Sequence, residues 1–240
     1  MASITPLVFF LVLTGGLLPA IFWLWFWLRE DQRKPEPHGL IILTFLVGAV
    51  SILAVFPLQR YAGILIGAGF WLIIVWAGIE EVIKLVAVFV ATYHRKALDE
   101  PVDYMIYLVV GALGFAAFEN SLFLLKSFSE DSFQGSLMTL ALRFVGATLV
   151  HVLASSVLGG IYSLAFCKNR FWKVAHMIAG LLAATLLHAL FNFYIMSSVN
   201  ILFILVGLWL LIIGLLLFFE KVKHIVCTVP FRRKTLSTKS

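Results

Sequence analysis

The sequence predicts an all-α fold: a polytopic bundle of helices integral to a membrane. Three observations predict it. Hydrophobic residues make up 62% of the 240-residue chain and charged residues 12%, against about 45–50% and 25% in soluble domains. The apolar residues fall in runs of about twenty or more, the length that crosses a bilayer as a helix. The lysines and arginines gather between those runs, heavily in one gap and sparsely in the next.

Seven runs read as spans, roughly 7–28, 39–58, 63–92, 104–125, 137–166, 174–196 and 201–219. The first follows a start without basic residues, so it reads as a retained helix and not as a cleaved signal peptide. It ends in Ile21-Phe-Trp-Leu-Trp-Phe-Trp27 beside a basic loop, where an interfacial aromatic belt belongs. Pro35 and Pro37 mark a short turn into the second span. The third and fifth spans, close to thirty residues each, exceed one straight crossing. Gly67, Gly69 and Gly78 are the candidates to loosen the third, and Gly146, Gly159 and Gly160 the fifth. Ser127 to Gly135 reads as a solvated loop between the fourth and fifth. The last span leads into a basic tail, 220–240, suited to anionic head groups. The whole chain, 1–240, reads as a single membrane-embedded domain whose core is about 62–196.

Orientation follows from the basic residues. Arg29, Arg33, Lys34, Arg95, Lys96, Lys168, Arg170, Lys173 and six in the tail put 14 on one side, whereas Arg60 and Lys126 put two on the other. The positive-inside rule then predicts the N-terminus outside and the C-terminus inside. The net charge of +6 therefore serves topology and lipid head groups, and nucleic acid is not an expected partner. Cys167 and Cys227 fall at helix ends on the reducing side, which argues against a disulfide.

The informative residues are the polar ones within spans. A charge at the bilayer centre costs roughly 2.5–3.5 kcal/mol on insertion scales. Even so, the third span holds Glu80, Glu81 and Lys84, the fourth Glu119 and Asn120, the fifth Arg143 and His151, and the sixth His188 and Asn192. Lys84 lies one helical turn from both glutamates and can pair with either. His188 and Asn192 share a face, and Phe115 sits one turn before Glu119, placed to wall a dry pocket. Singly, these residues have bland readings: a buried ion pair for Glu81–Lys84, interhelical hydrogen bonding for His188 and Asn192, and snorkelling for Arg143 near its span end. Together, carboxylates, imidazoles and an amide on four consecutive spans form a set able to activate water and stabilise an oxyanion. An ion-coupled transporter or channel could use the same groups as a relay. That rival predicts deep charges in the remaining spans and an inverted repeat, and neither is present. A non-catalytic scaffold leaves the clustered carboxylates unexplained.

Four motifs in order carry a family resemblance. Glu80-Glu81-Val-Ile-Lys84 fits E-E-x-x-K, Phe115-Ala-Ala-Phe-Glu119-Asn120 fits F-x-x-x-E-N, His151 opens a third motif, and His188-Ala-Leu-Phe-Asn192 fits H-x-x-x-N. Across about residues 75–196 the chain resembles the PrsW family of intramembrane proteases, related to the CAAX prenyl endopeptidases and bacteriocin-processing membrane proteases. The CAAX group carries an arginine one residue after the Lys84 position and a histidine at the Glu119 position, so prenylated substrates are not expected. The resemblance implies a bacterial plasma-membrane endopeptidase. Its substrate would be a membrane-anchored protein, such as an anti-sigma factor or signalling protein, cut on the extracytoplasmic side. It implies Glu80 as general base, Glu81 and Lys84 as organisers, Glu119, His151 and His188 completing the site, and Asn192 donating to the oxyanion. Asn120 and Arg143 would support them. A glutamate-activated water without metal is the favoured mechanism. Zinc on Glu80, Glu119, His151 and His188 is the alternative.

Overall fold

A computed structural model describes residues 6–30, 34–92, 98–130, 133–197 and 200–225. The described residues are helical throughout apart from short connections. The helices are α1 (Pro6–Glu30), α2 (His38–Ile66), α3 (Phe70–Thr92), α4 (Asp103–Glu130), α5 (Phe133–Leu142), α6 (Thr148–Ser163), α7 (Arg170–Met196) and α8 (Ile201–Lys223). A five-residue π-helical turn, Arg143–Ala147, joins α5 to α6.

Both over-long spans break at glycines expected to loosen them. Gly67 and Gly69 have φ of 74° and 147°, values that a side chain disfavours and glycine accepts. The chain therefore turns between α2 and α3 at 67–69, about seven residues later than the sequence suggested. Pro57 and Arg60, read as the end of a span, lie inside α2. The fifth span is divided at the π turn containing Gly146. Elsewhere α4 runs on through Lys126 to Glu130, α7 starts at Arg170, and α8 reaches Lys223. Most of the tail, from residue 226, lies outside the described residues.

Among the described residues, six elements are long and apolar enough to cross a membrane: α1, α2, α4, α5–α6 taken together, α7 and α8. At 23 residues, α3 has the length for a seventh. It carries the three charges and packs against α2, α4 and α7.

The centre of the bundle is α4, which contacts α1, α2, α3, α5 and α6. Small residues permit its tightest crossing. A Cβ on Gly114 would fall 2.0 Å from the carbonyl oxygen of Phe45, and one on Gly48 would fall 2.2 Å from that of Gly111. No side chain fits there, so the backbones of α2 and α4 meet directly, as small residues allow in membranes. Two tryptophans of the aromatic run depart from the belt reading. Trp25 is exposed, but Trp23 and Trp27 are buried. Their rings pack 5.9 Å from Trp209 and 5.5 Å from Phe219, fastening α1 to α8. Cys167 is disulfide-bonded, against expectation. Cys227 lies outside the described residues.

Candidate active site

One turn of α3 sets the centre. Glu81 and Lys84, spaced i,i+3, form an ion pair of 2.5 Å with both side chains 1% exposed. The lysine thus pairs with Glu81, not Glu80. Its ammonium also donates to His151 Nδ1 on α6 at 3.1 Å. The other ring nitrogen of His151, Nε2, therefore carries the proton and donates to Glu119 Oε2 on α4, 3.1 Å away. On α7, His188 donates from Nδ1 to Glu81 Oε1 at 2.8 Å. Its Nε2 is turned toward Glu80 Oε2 at 3.6 Å, beyond hydrogen-bonding distance. The two imidazoles meet edge to face with centroids 4.9 Å apart. Phe115 closes one wall, its ring centroid 5.5 Å from that of His151 and 5.4 Å from the Lys84 ammonium.

The glutamates are held differently. One oxygen of Glu80 accepts from the Gln59 amide of α2 at 2.8 Å, while Oε2 is buried with no hydrogen-bond partner. Glu81 is gripped on Oε1 by both Lys84 and His188.

A second layer holds Glu119. Arg143 donates from Nη2 to Glu119 and from Nε to Asn120 Oδ1 at 2.7 Å, and it stacks 4.0 Å over the Phe123 ring. It therefore faces inward, against the snorkelling expectation. The π turn that begins at Arg143 accounts for this. Thr148 donates from both its backbone N–H and its hydroxyl to the Arg143 carbonyl, and Asn120 donates to the same hydroxyl at 2.9 Å. π turns inside α-helices recur at functional sites.

Of the residues singled out from sequence, Glu80, Glu81, Lys84, Glu119, Asn120, Arg143, His151 and His188 thus lie in one connected network. Asn192, one turn past His188 and half-buried, makes no side-chain hydrogen bond among the described residues. Two participants escaped the sequence reading. Thr148 is indistinguishable by type from other helix threonines. Gln59 stood just after Pro57 and beside Arg60, where proline and charge suggested a loop. Its position is locked by Trp76 Nε1, which donates to the Gln59 carbonyl at 3.0 Å.

Glu80, His151 and His188 offer ligand atoms within 4.8 Å of one another. Two imidazoles and a carboxylate with an open fourth position match a catalytic zinc set in number and kind. The Glu81 carboxylate behind His188 Nδ1 is the outer-shell partner that such a histidine ligand normally has. Glu119, expected in the metal set, instead holds Arg143 and His151.

At a rise of 1.5 Å per residue, His188 and Glu119 lie about 12 and 17 Å from the helix ends beside the Gly67–Gly69 turn, and about 27 and 24 Å from the opposite ends. His151, by contrast, lies about 27 Å from the Gly67–Gly69 side of its helix and about 18 Å from the other, so the site is internal, near mid-depth of the bundle.

A model of the PrsW family, described as an intramembrane metalloprotease, matches residues 36–219. The Protease PrsW of Geobacillus kaustophilus is 26% identical over 198 residues, covering 79% of this chain and 81% of that protein. Its counterpart in Bacillus subtilis is 25% identical over 197 residues, covering 80% and 85%. That of Oceanobacillus iheyensis is 29% identical over 190 residues, covering 76% and 81%. No solved structure matches. The matched region contains every residue of the buried network, and the chain belongs to the PrsW family of bacterial intramembrane metalloproteases, a membrane-embedded protease and not an ion-coupled transporter.

Proposed function

We propose that the chain hydrolyses a peptide bond of a membrane-anchored protein with a water held between Glu80 and His188. One observation carries this reading. Two buried carboxylate oxygens among the described residues have no hydrogen-bond partner, Glu80 Oε2 and Glu81 Oε2, and it is Glu80 Oε2 that faces His188 Nε2, on a ring already oriented from behind. A water beside that pair is within reach of both atoms. Glu80, held by Gln59, takes its proton as the hydroxide attacks the carbonyl carbon. Glu81 fixes the His188 tautomer, leaving Nε2 toward the water. The uncommitted amide of Asn192, on the same face of α7, donates to the developing oxyanion. Protonated Glu80 then returns the proton to the leaving amine. Lys84, Glu119 and Arg143 hold His151 and the two glutamates in place.

A second reading is favoured by the three convergent donors and by the family's description as metalloproteases. Glu80, His151 and His188 would then hold zinc, which supplies a water of lowered pKa and a Lewis acid for the carbonyl. The metal-free reading is preferred because both nitrogens of His151 are engaged, one by the Lys84 ammonium, an unfavourable neighbour for a dication.

The charge count puts the Gly67–Gly69 end of the bundle outside. Membership of a membrane-protease family supports a membrane-anchored regulator, such as an anti-sigma factor, as the substrate class, with cleavage on the extracytoplasmic side. The residues that perform this chemistry fall within about 62–196, apart from Gln59.

The test is incubation of the purified protein with membrane-anchored reporter peptides, cleavage products being mapped by mass spectrometry. Wild type and His188→Ala are compared, with bound zinc measured on the same samples. Cleavage by wild type alone, insensitive to chelator, is the expected result. Loss on chelation with recovery on zinc addition would establish the second reading, and equal cleavage by both proteins would sink both.

A further inference from the structure

Thr148 touches none of the groups assigned to bond cleavage, yet its hydroxyl stands where the direction of Arg143 is decided. Thr148 is 0% exposed, and Asn120 beside it is 1% exposed. The hydroxyl donates to the Arg143 carbonyl at 3.0 Å, which also accepts the Thr148 backbone N–H across the π turn. Its one proton is then spent, so toward Asn120 it can act only as an acceptor. The Asn120 amide accordingly donates to it from Nδ2 at 2.9 Å. That orientation leaves Asn120 Oδ1 to accept from Arg143 Nε at 2.7 Å. The bonds close a ring through the backbone of Arg143 itself, and Nη2 of the same guanidinium is left over for Glu119.

We propose that Thr148 is a positioning residue for proteolysis: its hydroxyl fixes the Asn120 amide, the amide aims Arg143, and Arg143 holds Glu119. The inference rests on the protease reading and adds to it a residue remote from the reacting water. Serine and threonine in helices commonly bond back to the i−4 carbonyl, which needs no further purpose. Thr148 differs on two counts. It reaches the i−5 carbonyl, which the π turn brings within range, and it accepts at the same time from a neighbouring helix, α4. Without the hydroxyl, the buried Asn120 Nδ2 has lost its acceptor and the amide is free to turn over. An inverted amide sets donor against donor at Arg143 Nε, so the guanidinium leaves its seat. Glu119 Oε2 accepts from both Arg143 and His151, and a displaced Arg143 leaves it to His151 alone. His151 in turn meets the Lys84 ammonium that pairs with Glu81 behind His188. The displacement therefore reaches the site through contacts already in place.

The experiment uses the full chain in detergent micelles. Thr148→Val keeps the shape and Thr148→Ala adds no volume, and both remove the hydroxyl, whereas Thr148→Ser retains it. Thr44→Val is the control, because Thr44 is equally buried and its hydroxyl has no partner among the described residues. Cleavage of a membrane-anchored reporter is measured at equal folded concentration, checked by circular dichroism. Thr148→Val and Thr148→Ala should lower kcat roughly 10–100-fold with KM within about twofold, the scale of a small misplacement of catalytic groups. Thr148→Ser and Thr44→Val should stay close to wild type. Hydrogen exchange of arginine side chains, followed by nitrogen-15 NMR, supplies a readout independent of turnover. The Arg143 Nε–H signal, identified by its absence in Arg143→Lys, should exchange at least about tenfold faster without the hydroxyl and at the wild-type rate in Thr148→Ser. Wild-type kcat in the two variants lacking the hydroxyl, or an Arg143 Nε–H that still exchanges slowly in them, would overturn the proposal. A wild type that cleaves nothing would sink the protease reading instead, and the exchange rates would still decide whether Thr148 aims Arg143.

Discussion

Replacing Lys84 with Met should destabilise the protein by about 3–5 kcal/mol, and replacing Glu81 as well should restore much of that loss. The Lys84 and Glu81 side chains are each 1% exposed and 2.5 Å apart. Removing the lysine leaves the Glu81 carboxylate with His188 as its remaining partner in a low-dielectric interior. An orphaned buried charge costs far more than the net worth of the intact pair. In the double variant Glu81→Gln/Lys84→Met the charge itself is gone, so its loss should be smaller than that of the lysine substitution alone. A coupling energy near the top of the usual ~0.5–3 kcal/mol range is expected between contacting residues of this kind. Unfolding in mixed micelles, followed by tryptophan fluorescence across all four members of the cycle, supplies the numbers. Strict additivity of the two single losses would refute the reasoning, because it would mean that Lys84 does not neutralise Glu81.

Gln59→Leu should lower kcat/KM by roughly 10–100-fold with little change in thermal stability, because the amide aims Glu80 and its loss frees both carboxylate oxygens; a wild-type rate would remove Gln59 from the site. Gly114→Val places carbon where the Phe45 carbonyl oxygen would lie 2.0 Å from its Cβ, and overpacking of this kind costs about 1–3 kcal/mol or more. Reduced yield of folded protein, read by size-exclusion chromatography, checks that prediction. Arg143→Ala leaves Glu119 with His151 alone and should impair both folding yield and cleavage, whereas Arg143→Lys should rescue folding better than turnover, since a lysine cannot bridge Glu119 and Asn120 at once. Parallel thermal melts and reporter assays separate the two effects.

The network was legible because charge inside an apolar run is costly. Glu80, Glu81, Lys84, Glu119, His151 and His188 stood out against their spans, and the structure puts them within contact of one another. The order of the helices was legible for a related reason: lysine and arginine interrupt apolar runs at the ends. Finer features were not. Arg60 interrupts hydropathy without interrupting α2, so the turn was placed before the glycines that make it, and Gln59 passed as a loop residue. Arg143 near a span end looks like a snorkelling side chain until the π turn that swings it inward is known. Trp23 and Trp27 differ from Trp25 only in the helical face they occupy, and which face meets α8 is a tertiary fact.

The most direct test of the account is the cleavage rate of Glu80→Gln on a membrane-anchored reporter, measured against wild type at equal folded concentration. Glutamine keeps the shape and can still meet Gln59, but it cannot take a proton from water. The account predicts a rate at least about a thousandfold lower, within the range for losing a positioned base, with thermal stability close to wild type. Turnover by Glu80→Gln within a few-fold of wild type would contradict it.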